Sequence, residues 1–476
     1  MNETRALKLT PNRTVVTSFN PRQTACANQV ADYYDDGDWV MACHSTPSYL
    51  SCAVSNGEIQ IYDPRRLHLV QTIPSSTTKH GMMMMNTTST NTNSSSMITD
   101  LVGAPPQAQA DHILVSSSTN GQVSVMDLRQ SHASSQTSAS LAWSLPGAER
   151  ALSVSLGFDG NIAAVASNKA RIHFYDLRSV SPPPQGGPLA SYINAHTDEV
   201  TRVRFQHFPS YYTPPPSSSK GSSAAASNSI LVSGAEDGLA CVFDTTQSSE
   251  EAALLSIIHV QTPLRQVGFY GPHLESIFCT TAAETMSLWS SSSTGRGTTS
   301  SMQQHSCLAH YSDIRSALHV DYLVQAHWDF ARQHLSLLAG CSNGDACVST
   351  ISMPQPQPPQ QPPVVTTTHR LAGGHRGVVR DWCPLSSSLL VTVGEDARVC
   401  EWNLTGRQAH ATTATTAGAS TMMSNSISSH GGGGVAVRRG SDPTKQQQQQ
   451  QQPPGIKTGG GPVRRQRGGR FASTPY

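Results

Sequence analysis

Two stretches of the chain share one frame and decide its fold: Ile230-Leu-Val-Ser-Gly-Ala-Glu-Asp-Gly-Leu-Ala-Cys-Val-Phe-Asp244 and Leu389-Leu-Val-Thr-Val-Gly-Glu-Asp-Ala-Arg-Val-Cys-Glu-Trp-Asn403. Each has a β-rich run, a tight polar turn, a second β-rich run, and then an aromatic residue followed by Asp or Asn. Apolar runs on either side of Asp-Gly or Asn-Gly are the strongest short signal of a β-hairpin, because both turn residues must tolerate positive φ. Four of the seven units have this signal, the first stretch among them at Asp237-Gly238, and the second stretch shares the frame with Asp396-Ala397 in its turn, so both are predicted to be hairpins.

The same frame recurs along the chain, which makes the hairpin a repeated unit. Further copies are Tyr49–Asp63, His112–Asp127, Asn161–Asp176, Ser276–Ser290 and Leu335–Thr350. Other β-rich segments precede and follow the hairpins, as at Val200–Phe205 and Leu254–His259. Four strands per unit, with a period of about 40 residues, are typical of the blade of a β-propeller. The sequence therefore predicts an all-β fold, a single seven-bladed β-propeller.

The predicted propeller spans residues 6–404, and residues 405–476 form a Gly/Gln-rich basic tail. Long low-complexity tracts interrupt the blades at 81–96, 131–140, 181–188, 211–228, 290–306 and 353–368. Such compositions bury too little apolar surface to offset the entropy of ordering, so the tracts are predicted to be surface loops and the tail to be disordered. Closure of the ring needs a strand from elsewhere, and residues 6–9 or 14–19 are the candidates for the fourth strand of blade seven.

A second pattern places four residue types at fixed spacing in two of the units. In each, a histidine precedes the first strand, a hydroxyl residue lies four residues before the turn Asp, and an aromatic residue lies six residues after it. The two sets are His375, Thr392, Asp396 and Trp402 in unit seven, and His196, Ser233, Asp237 and Phe243 in unit four. This pattern resembles that of the WD-repeat family. The resemblance implies a structural role, in which each buried polar group finds a hydrogen-bond partner, rather than catalysis.

Motifs for other chemistry are missing from the sequence. It contains no G-x-x-x-x-G-K-[ST], G-x-S-x-G or H-E-x-x-H motif. The 10 cysteines form no C-x-x-C pair, and no histidines share metal-ligand spacing. We therefore expect no catalytic residue, no cofactor, no metal, no disulfide and no small-molecule substrate. The function expected is that of a non-enzymatic scaffold for protein–protein interaction.

Hydropathy and charge bear on the compartment and the partners. No run approaches the ~18 apolar residues that a membrane span needs, and the N-terminus lacks the apolar stretch of a signal peptide. The protein is therefore expected inside the cell, in the cytoplasm, the nucleus or both, without a membrane partner. The net charge of +1 hides an asymmetry, because the tail from Thr405 carries nine Lys/Arg and one Asp, which leaves −7 on the rest. The basic segment Arg464–Arg470 suggests an alternative function, an RNA- or ribonucleoprotein-associated assembly factor, although a solvated tail is an equal interpretation.

Arginines recur near the start of the predicted first strands. Arg202, Arg265 and Arg380 align at one place, and Arg150 is a candidate for the same place in blade three. Equivalent positions in successive blades would form a basic ring on one rim, suited to an acidic peptide or a phosphate. The competing interpretation is that each arginine pairs with a neighbouring carboxylate, such as Asp381 or Glu199.

The hairpins of units one, two and three end in Asp-x-Arg. The arginines are Arg65, Arg129 and Arg178. This ending resembles the box of WD-repeat substrate receptors of cullin-4 ubiquitin ligases, in which the arginine docks on the adaptor. The resemblance implies a narrower alternative function, that of such a receptor. The other interpretation is that an exposed arginine simply caps the turn after the strand.

Overall fold

The computed structural model describes residues 6–17, 38–75, 96–105, 108, 110–129, 141–178, 187–209, 229–291, 305–352 and 363–405. These residues form seven sheets that correspond to the seven repeated units, all antiparallel except for one parallel edge strand. The first strands of successive sheets contact one another, and the first strand of the seventh sheet contacts that of the first. The fold is therefore a seven-bladed β-propeller, and the prediction from the hairpin frame is confirmed.

The strands are numbered in chain order. The N-terminal pair is β1 (Leu7–Leu9) and β2 (Arg13–Val16). Blade one contains β3 (Val40–Ser45), β4 (Leu50–Val54), β5 (Ile59–Asp63) and β6 (His68–Ile73). Blade two contains β7 (Ile98–Gly103), β8 (Ile113–Ser118), β9 (Gln122–Asp127) and β10 (Leu141–Ser144). Blade three contains β11 (Ala151–Gly157), β12 (Ile162–Ser167), β13 (Ile172–Asp176) and β14 (Ala190–Tyr192). Blade four contains β15 (Val200–Phe205), β16 (Ile230–Ala235), β17 (Leu239–Asp244) and β18 (Leu254–His259).

The remaining blades follow the same order. Blade five contains β19 (Leu264–Tyr270), β20 (Ser276–Thr281), β21 (Met286–Ser291) and β22 (His305–Tyr311). Blade six contains β23 (Tyr322–Asp329), β24 (His334–Gly340), β25 (Ala346–Ile351) and β26 (Val365–Leu371). Blade seven contains β27 (Val379–Pro384), β28 (Leu389–Gly394) and β29 (Arg398–Asn403). Two one-turn helices, α1 (Glu250–Ala253) and α2 (Arg315–Leu318), and a 3₁₀ turn at Pro146–Ala148 lie between strands. No helix among the described residues is long and apolar enough to cross a membrane.

Burial explains why the inner strands read as continuous apolar runs. Every residue of β4 is buried, whereas most of β6, at the outer edge of the same blade, is exposed. A propeller blade packs against a neighbour on both faces, so its inner strands need apolar or hydrogen-bonded side chains on both faces. The core is therefore a series of interfaces between blades, such as Trp402 of blade seven against Leu338 of blade six.

A β-bulge occurs at the same place in the first strand of every blade. The pairing of β15 with β16 skips one residue between Val200 and Arg202, and that of β27 with β28 skips one between Val379 and Asp381. The skipped residues define the bulge position: Met41, Thr99, Leu152, Thr201, Arg265, Val324 and Arg380. Because a bulge re-aims the side chains beside it, this register decides where each arginine of the first strands points.

The two N-terminal segments take different positions in the ring. Strand β2 pairs antiparallel with β29, with Thr14 opposite Cys400, and completes blade seven as its fourth strand. Strand β1 instead pairs in parallel with β26 as a fifth strand of blade six, with Leu9 opposite Leu371. Of the two candidates for ring closure, the segment beginning at Thr14 is therefore the right one. The alternative, residues 6–9, is wrong, although it covers a different sheet edge.

Two of the predicted loop tracts extend too far. Strand β22 begins at His305 and β26 at Val365, inside tracts assigned to loops. Strand β22 is the outermost strand of blade five, and β26 is the fourth strand of blade six, covered by β1. Strand β26 begins with Val-Thr-Thr-Thr in half-buried positions. A polar strand of this kind has no alternating apolar pattern to distinguish it from the loop before it. Most of the other predicted loops, and the predicted disordered tail beyond Thr405, lie outside the described residues.

Candidate functional site

The structure brings the four residues of the blade-seven set together. His375 Nδ1 lies 3.0 Å from Asp396 Oδ1, and His375 Nε2 lies 2.8 Å from Thr392 Oγ1. Trp402 Nε1 donates to the same hydroxyl oxygen at 2.8 Å. Asp396 Oδ2 also accepts the backbone N–H of Arg376 at 2.7 Å. The chain of bonds thus connects the loop before the first strand with the second strand, the turn and the third strand of one blade.

Burial and neighbouring charges shift the pKa values of His375 and Asp396. Burial by itself lowers the pKa of His375, but hydrogen bonding to Asp396 and to Cys400, with their charges, outweighs it and raises the pKa to about 9. Burial would raise the pKa of Asp396, yet the bond from His375 and the backbone N–H donors lower it. The set therefore holds an imidazolium–carboxylate pair at pH 7, with both ring nitrogens donating.

The blade-four set has the same geometry but lacks the last donor. His196 Nδ1 lies 3.2 Å from Asp237 Oδ2, and His196 Nε2 lies 2.7 Å from Ser233 Oγ. Phe243 is fully buried at the place of the tryptophan and offers no N–H group. Asp237 also accepts the backbone N–H groups of Thr197 and Leu239, both at 2.9 Å. The serine hydroxyl of this set therefore receives no hydrogen bond from the aromatic residue.

Blade three contains a different polar cluster that the spacing rule missed. His173 lies inside β13, where its Nε2 is 3.0 Å from Glu149 Oε2 and its Nδ1 is 2.8 Å from Ser191 Oγ. Arg171 also bonds to Glu149 at 2.9 Å, and both His173 and Glu149 are buried. The signal available in the sequence was a histidine between Ile172 and Phe174, in a strand whose other residues face the core. Here the histidine comes from the third strand instead of the preceding loop.

Side chains at the position after the bulge link neighbouring blades. Asp381 accepts the backbone N–H of Cys43 at 2.9 Å, which joins blade seven to blade one. Gln266 donates to the carbonyl of Val324 at 2.8 Å, which joins blade five to blade six. Burial raises the pKa of Asp381 to about 6. These contacts lie along the innermost strands, so this ring of residues holds the blades around the axis.

Arg202 belongs to this inner ring and not to the rim. Its Nη1 lies 3.2 Å from Asp100 Oδ2, and Arg204 Nη1 lies 2.9 Å from the same oxygen. Ser153 also donates to Asp100 at 2.7 Å. Burial would raise the pKa of Asp100, but Arg204 and Arg202 outweigh it and hold the pKa well below its usual range. The residue of blade four that matches Arg265 and Arg380 is Thr201, so the predicted alignment of the three arginines is off by one residue.

The remaining rim arginines pair with carboxylates of nearby turns. Arg265 Nη1 lies 3.3 Å from Glu284, and Arg380 bonds to Glu395. Arg150 precedes β11 and bonds to Glu199 at the entrance to blade four, at 2.7 Å. The pairing follows the second of the two interpretations of the sequence, although Asp381 is not one of the partners. A free basic ring is therefore not formed by these residues.

The Asp-x-Arg endings fold back on themselves in blades two and three. Arg129 donates from Nε and Nη2 to Asp127 at 3.0 and 2.7 Å, and Arg178 does the same to Asp176 at 2.9 and 2.8 Å. These side-chain bonds lower the pKa of each aspartate. The arginine side chains nevertheless remain 63% and 68% exposed. In blade one, the backbone N–H of Arg65 caps Asp63, and its carbonyl accepts from the side chain of Arg13.

No group of three His, Cys, Asp or Glu side chains suited to a metal ion occurs among the described residues. The nine cysteines that the structure describes are all free thiols. Arg464–Arg470, the candidate RNA-binding segment, lies outside the described residues. The polar clusters described here therefore connect the protein's own strands and turns.

Comparisons with known proteins agree with this geometry. No family model matches the chain. It is 24% identical over 217 residues to the WD repeat-containing protein 89 homolog of Dictyostelium discoideum, a match that covers 44% of this chain and spans only 50% of that relative. It is 24% identical over 323 residues to the WD repeat-containing protein GTS1 of Arabidopsis thaliana, covering 65% of this chain and 70% of the relative.

Among solved structures, the chain is similar to one in a crystal structure of a mitotic checkpoint complex. The TM-score is 0.55 at 11% identity, with 84% of this chain and 93% of the other covered, so the likeness concerns the fold alone. The seven blades, the two histidine–hydroxyl–aspartate sets and these relatives together confirm the resemblance seen in the sequence. The chain folds as a seven-bladed β-propeller and is similar to WD repeat-containing proteins.

Proposed function

We propose that this protein is a non-enzymatic scaffold that presents one face of its propeller to protein partners. The observation that carries the proposal is the burial of the histidine–aspartate pairs, which with the buried His173–Glu149 pair are the arrangements among the described residues that resemble acid–base machinery. The side chains of His375 and Asp396 are 1% and 7% exposed, and those of His196 and Asp237 are 1% and 6% exposed. A substrate cannot reach groups whose hydrogen bonds are all made within the blade. WD-repeat propellers generally bind protein partners, and the similarity to such proteins supports the same class of function here.

The face at which the first strands begin is the best supported docking surface. Trp39, just before β3, is 36% exposed. The guanidinium of Arg380 from blade seven lies 5.8 Å from the centre of the Trp39 ring. Tryptophan and arginine are enriched among residues that dominate binding energy at interfaces. The pair lies where blades seven and one meet, and we propose it as the anchor of the docking surface.

Quantitative cross-linking in cells tests the anchor. We expect the double variant Trp39→Ala/Arg380→Ala to lose cross-linked partners that the wild type retains, because both contact groups are removed. Arg332→Ala is the matched control, since Arg332 is an exposed arginine paired with Asp329 at the opposite end of a first strand. Its partner set should equal that of the wild type. Recovery of the same partners with the double variant, at unchanged melting temperature, would refute the anchor.

A narrower proposal is that the protein is a substrate receptor of a cullin-4 ubiquitin ligase. The exposure of Arg129 and Arg178 at the same place in adjacent blades supports it, and their pairing with Asp127 and Asp176 would have to open on docking. Affinity purification of Arg129→Ala/Arg178→Ala should recover less adaptor than the wild type, with Arg332→Ala again as control. Equal recovery, or no adaptor with either protein, would sink this proposal.

The alternative of an RNA-associated assembly factor depends on the basic tail. Its nine Lys/Arg would make weak, salt-dependent contacts with a nucleic-acid backbone. Deletion of residues 431–476 should then abolish RNA retention at moderate salt while leaving the propeller folded. RNA retention that survives the deletion would exclude the tail as the RNA-binding element.

A further inference from the structure

A small cavity opens beside the innermost strands of blades four, five and six. Its volume is about 180 Å³, and its walls include Arg202, Arg204, Gln266, His327 and Trp328. We call it the channel cavity. It is lined by the later residues of the first strands, so it lies toward the opposite end of those strands from Trp39 and Arg380. It is therefore separate from the docking surface proposed above.

Two buried side chains of this cavity carry polar atoms without a partner. Gln266 is 7% exposed and Trp328 is 4% exposed. Gln266 Oε1 and Trp328 Nε1 make no hydrogen bond, and neither does His207 Nδ1 in the same wall. Leaving a buried donor or acceptor unpaired costs about 1–3 kcal/mol, so three in one small cavity indicate a missing binding partner.

The charges around the cavity favour an anion. Arg202 and Arg204 share one carboxylate, that of Asp100. Arg204 is held further by Ser153 and by the carbonyl of Val203, whereas Asp100 is the only ion-pair partner of Arg202 among the described residues. One edge of the Arg202 guanidinium is thus available for a second acceptor.

The other ionisable groups near Arg202 do not hydrogen-bond to this edge of its guanidinium. Asp381 interacts with Arg202 through its charge, but it does not line the cavity. It makes its hydrogen bonds to the backbone N–H groups of Cys43 and Trp382 and forms no ion pair with a described residue. His207, in the cavity wall, and His44, on the first strand of blade one, are uncharged at pH 7, since burial and Arg204 lower the pKa of each to about 4. Their neutrality leaves the nitrogens of His207 as hydrogen-bonding groups rather than competing charges.

We propose that the channel cavity binds a small oxyanion, a carboxylate or a phosphate, against Arg202 and Trp328. The free edge of Arg202 donates to one oxygen of the ligand, and Trp328 Nε1–H donates to another. Charge-assisted bonds of this kind are the strong ones, and a planar guanidinium favours a ligand with two oxygens. Gln266 Oε1 is the acceptor for a hydroxyl or N–H group beside the anion. The volume admits a single anionic group, such as one acidic side chain of a peptide or one free phosphate.

Titration calorimetry on the full chain tests the cavity with two probes, inorganic phosphate and a hexaglutamate peptide. We expect at least one probe to bind, and Arg202→Gln to weaken that binding about tenfold or more because it removes the charge but keeps donors. Trp328→Phe should weaken it severalfold, because it removes one donor while the ring keeps its packing against Tyr270 and Phe330. The matched control is Arg265→Gln, an arginine of the equivalent strand that lies outside the cavity, and its affinities should equal those of the wild type.

The two probes also distinguish the source of the anion. Binding of phosphate alone indicates a free anion, and binding of the peptide alone indicates an acidic side chain of a partner. If neither probe binds the wild type, or if Arg265→Gln weakens binding as much as Arg202→Gln, the proposal is overturned. If Arg202→Gln has a lower melting temperature because it lacks the pair with Asp100, the affinity of Trp328→Phe is the test instead. Unchanged affinity in Trp328→Phe would contradict the proposal. Because Trp39 and Arg380 are untouched, failure here leaves the proposed docking surface standing.

Discussion

Blade seven and blade four contain the same kind of polar set, and the two sets differ in the hydroxyl residue and in the aromatic residue. In both, the histidine lies between an aspartate and a hydroxyl, with Nε2–Oγ distances of 2.8 Å to Thr392 and 2.7 Å to Ser233. Blade seven adds the bond from Trp402, while the ring of Phe243 fills the same place without a donor. The His–Asp distance is also shorter in blade seven, 3.0 Å against 3.2 Å.

This comparison shows that the aromatic residue of the polar set has two separable roles. Trp402 and Phe243 are both fully buried between blades, so each supplies apolar packing. Only the indole also satisfies the hydroxyl of the second strand. A set without that donor still assembles, because the aspartate is held by backbone N–H groups in both blades. Packing is therefore common to the two blades, and the fourth hydrogen bond is specific to blade seven.

The largest effect should follow from Asp396→Ala. The substitution leaves His375 without its acceptor and the backbone N–H of Arg376 without its bond, at about 1–3 kcal/mol for each unsatisfied group. We expect a clearly lower melting temperature, measured by calorimetry. Asp237→Ala is the matched variant in blade four and should also destabilise. If Asp396→Ala melts like the wild type, the set does not stabilise blade seven.

Trp402→Phe gives the blade-seven set the aromatic residue of the blade-four set and should have the next largest effect. It removes the bond to Thr392 and part of a buried ring, which together should cost about 1–3 kcal/mol in the free energy of unfolding. Chemical denaturation of the two proteins measures the loss. The reverse change, Phe243→Trp, should not stabilise blade four, because a larger ring must be forced into a filled core. Equal stability of Trp402→Phe and the wild type would show that the indole N–H contributes nothing.

The stabilisation by the charged set of blade seven should depend on pH. The folded-state pKa of His375, about 9, lies above its ordinary value of 6.5. The stabilisation by its protonated form is therefore complete below about pH 6.5 and is lost as the pH rises through about 9. The difference in unfolding free energy between the wild type and His375→Gln should shrink over that window. A difference that stays constant from pH 6.5 to 9.5 would mean that the imidazole is neutral throughout.

The smallest effect on stability is expected for Arg380→Ala, in the same blade. Its side chain is 33% exposed, and its pair with Glu395, whose side chain is 19% exposed, is partly buried. Loss of such a pair should change the free energy of unfolding by no more than about 0.5 kcal/mol. Thermal melts beside Asp396→Ala provide the comparison. A large loss of stability would place Arg380 among the structural groups of blade seven and remove it from the proposed docking surface.

Part of the candidate site could be predicted from the sequence and part could not. The sets of His375 and His196 followed from spacing, because all their members lie within one blade and one repeat of the frame. The cluster of His173 was missed because its histidine comes from a different strand. The alignment of Arg202 with Arg265 failed because the bulge that sets the register lies at Thr201 in one strand and at Arg265 in the other, and a bulge has no fixed sequence signature.

The local units of this protein follow from its sequence: the seven hairpins from their turn residues and apolar runs, and the two polar sets from the spacing of their residues. The contacts that join one blade to another became known from the tertiary structure. Strand β2 closes the ring beside β29, and Arg204 reaches Asp100 across 104 residues of chain. Contacts of that kind depend on how many blades complete the circle and on the register of each bulge. Neither the number of blades nor the register of the bulges can be predicted from a single repeat. A hairpin forms from its own residues, whereas the ring forms only when all the blades have packed against one another.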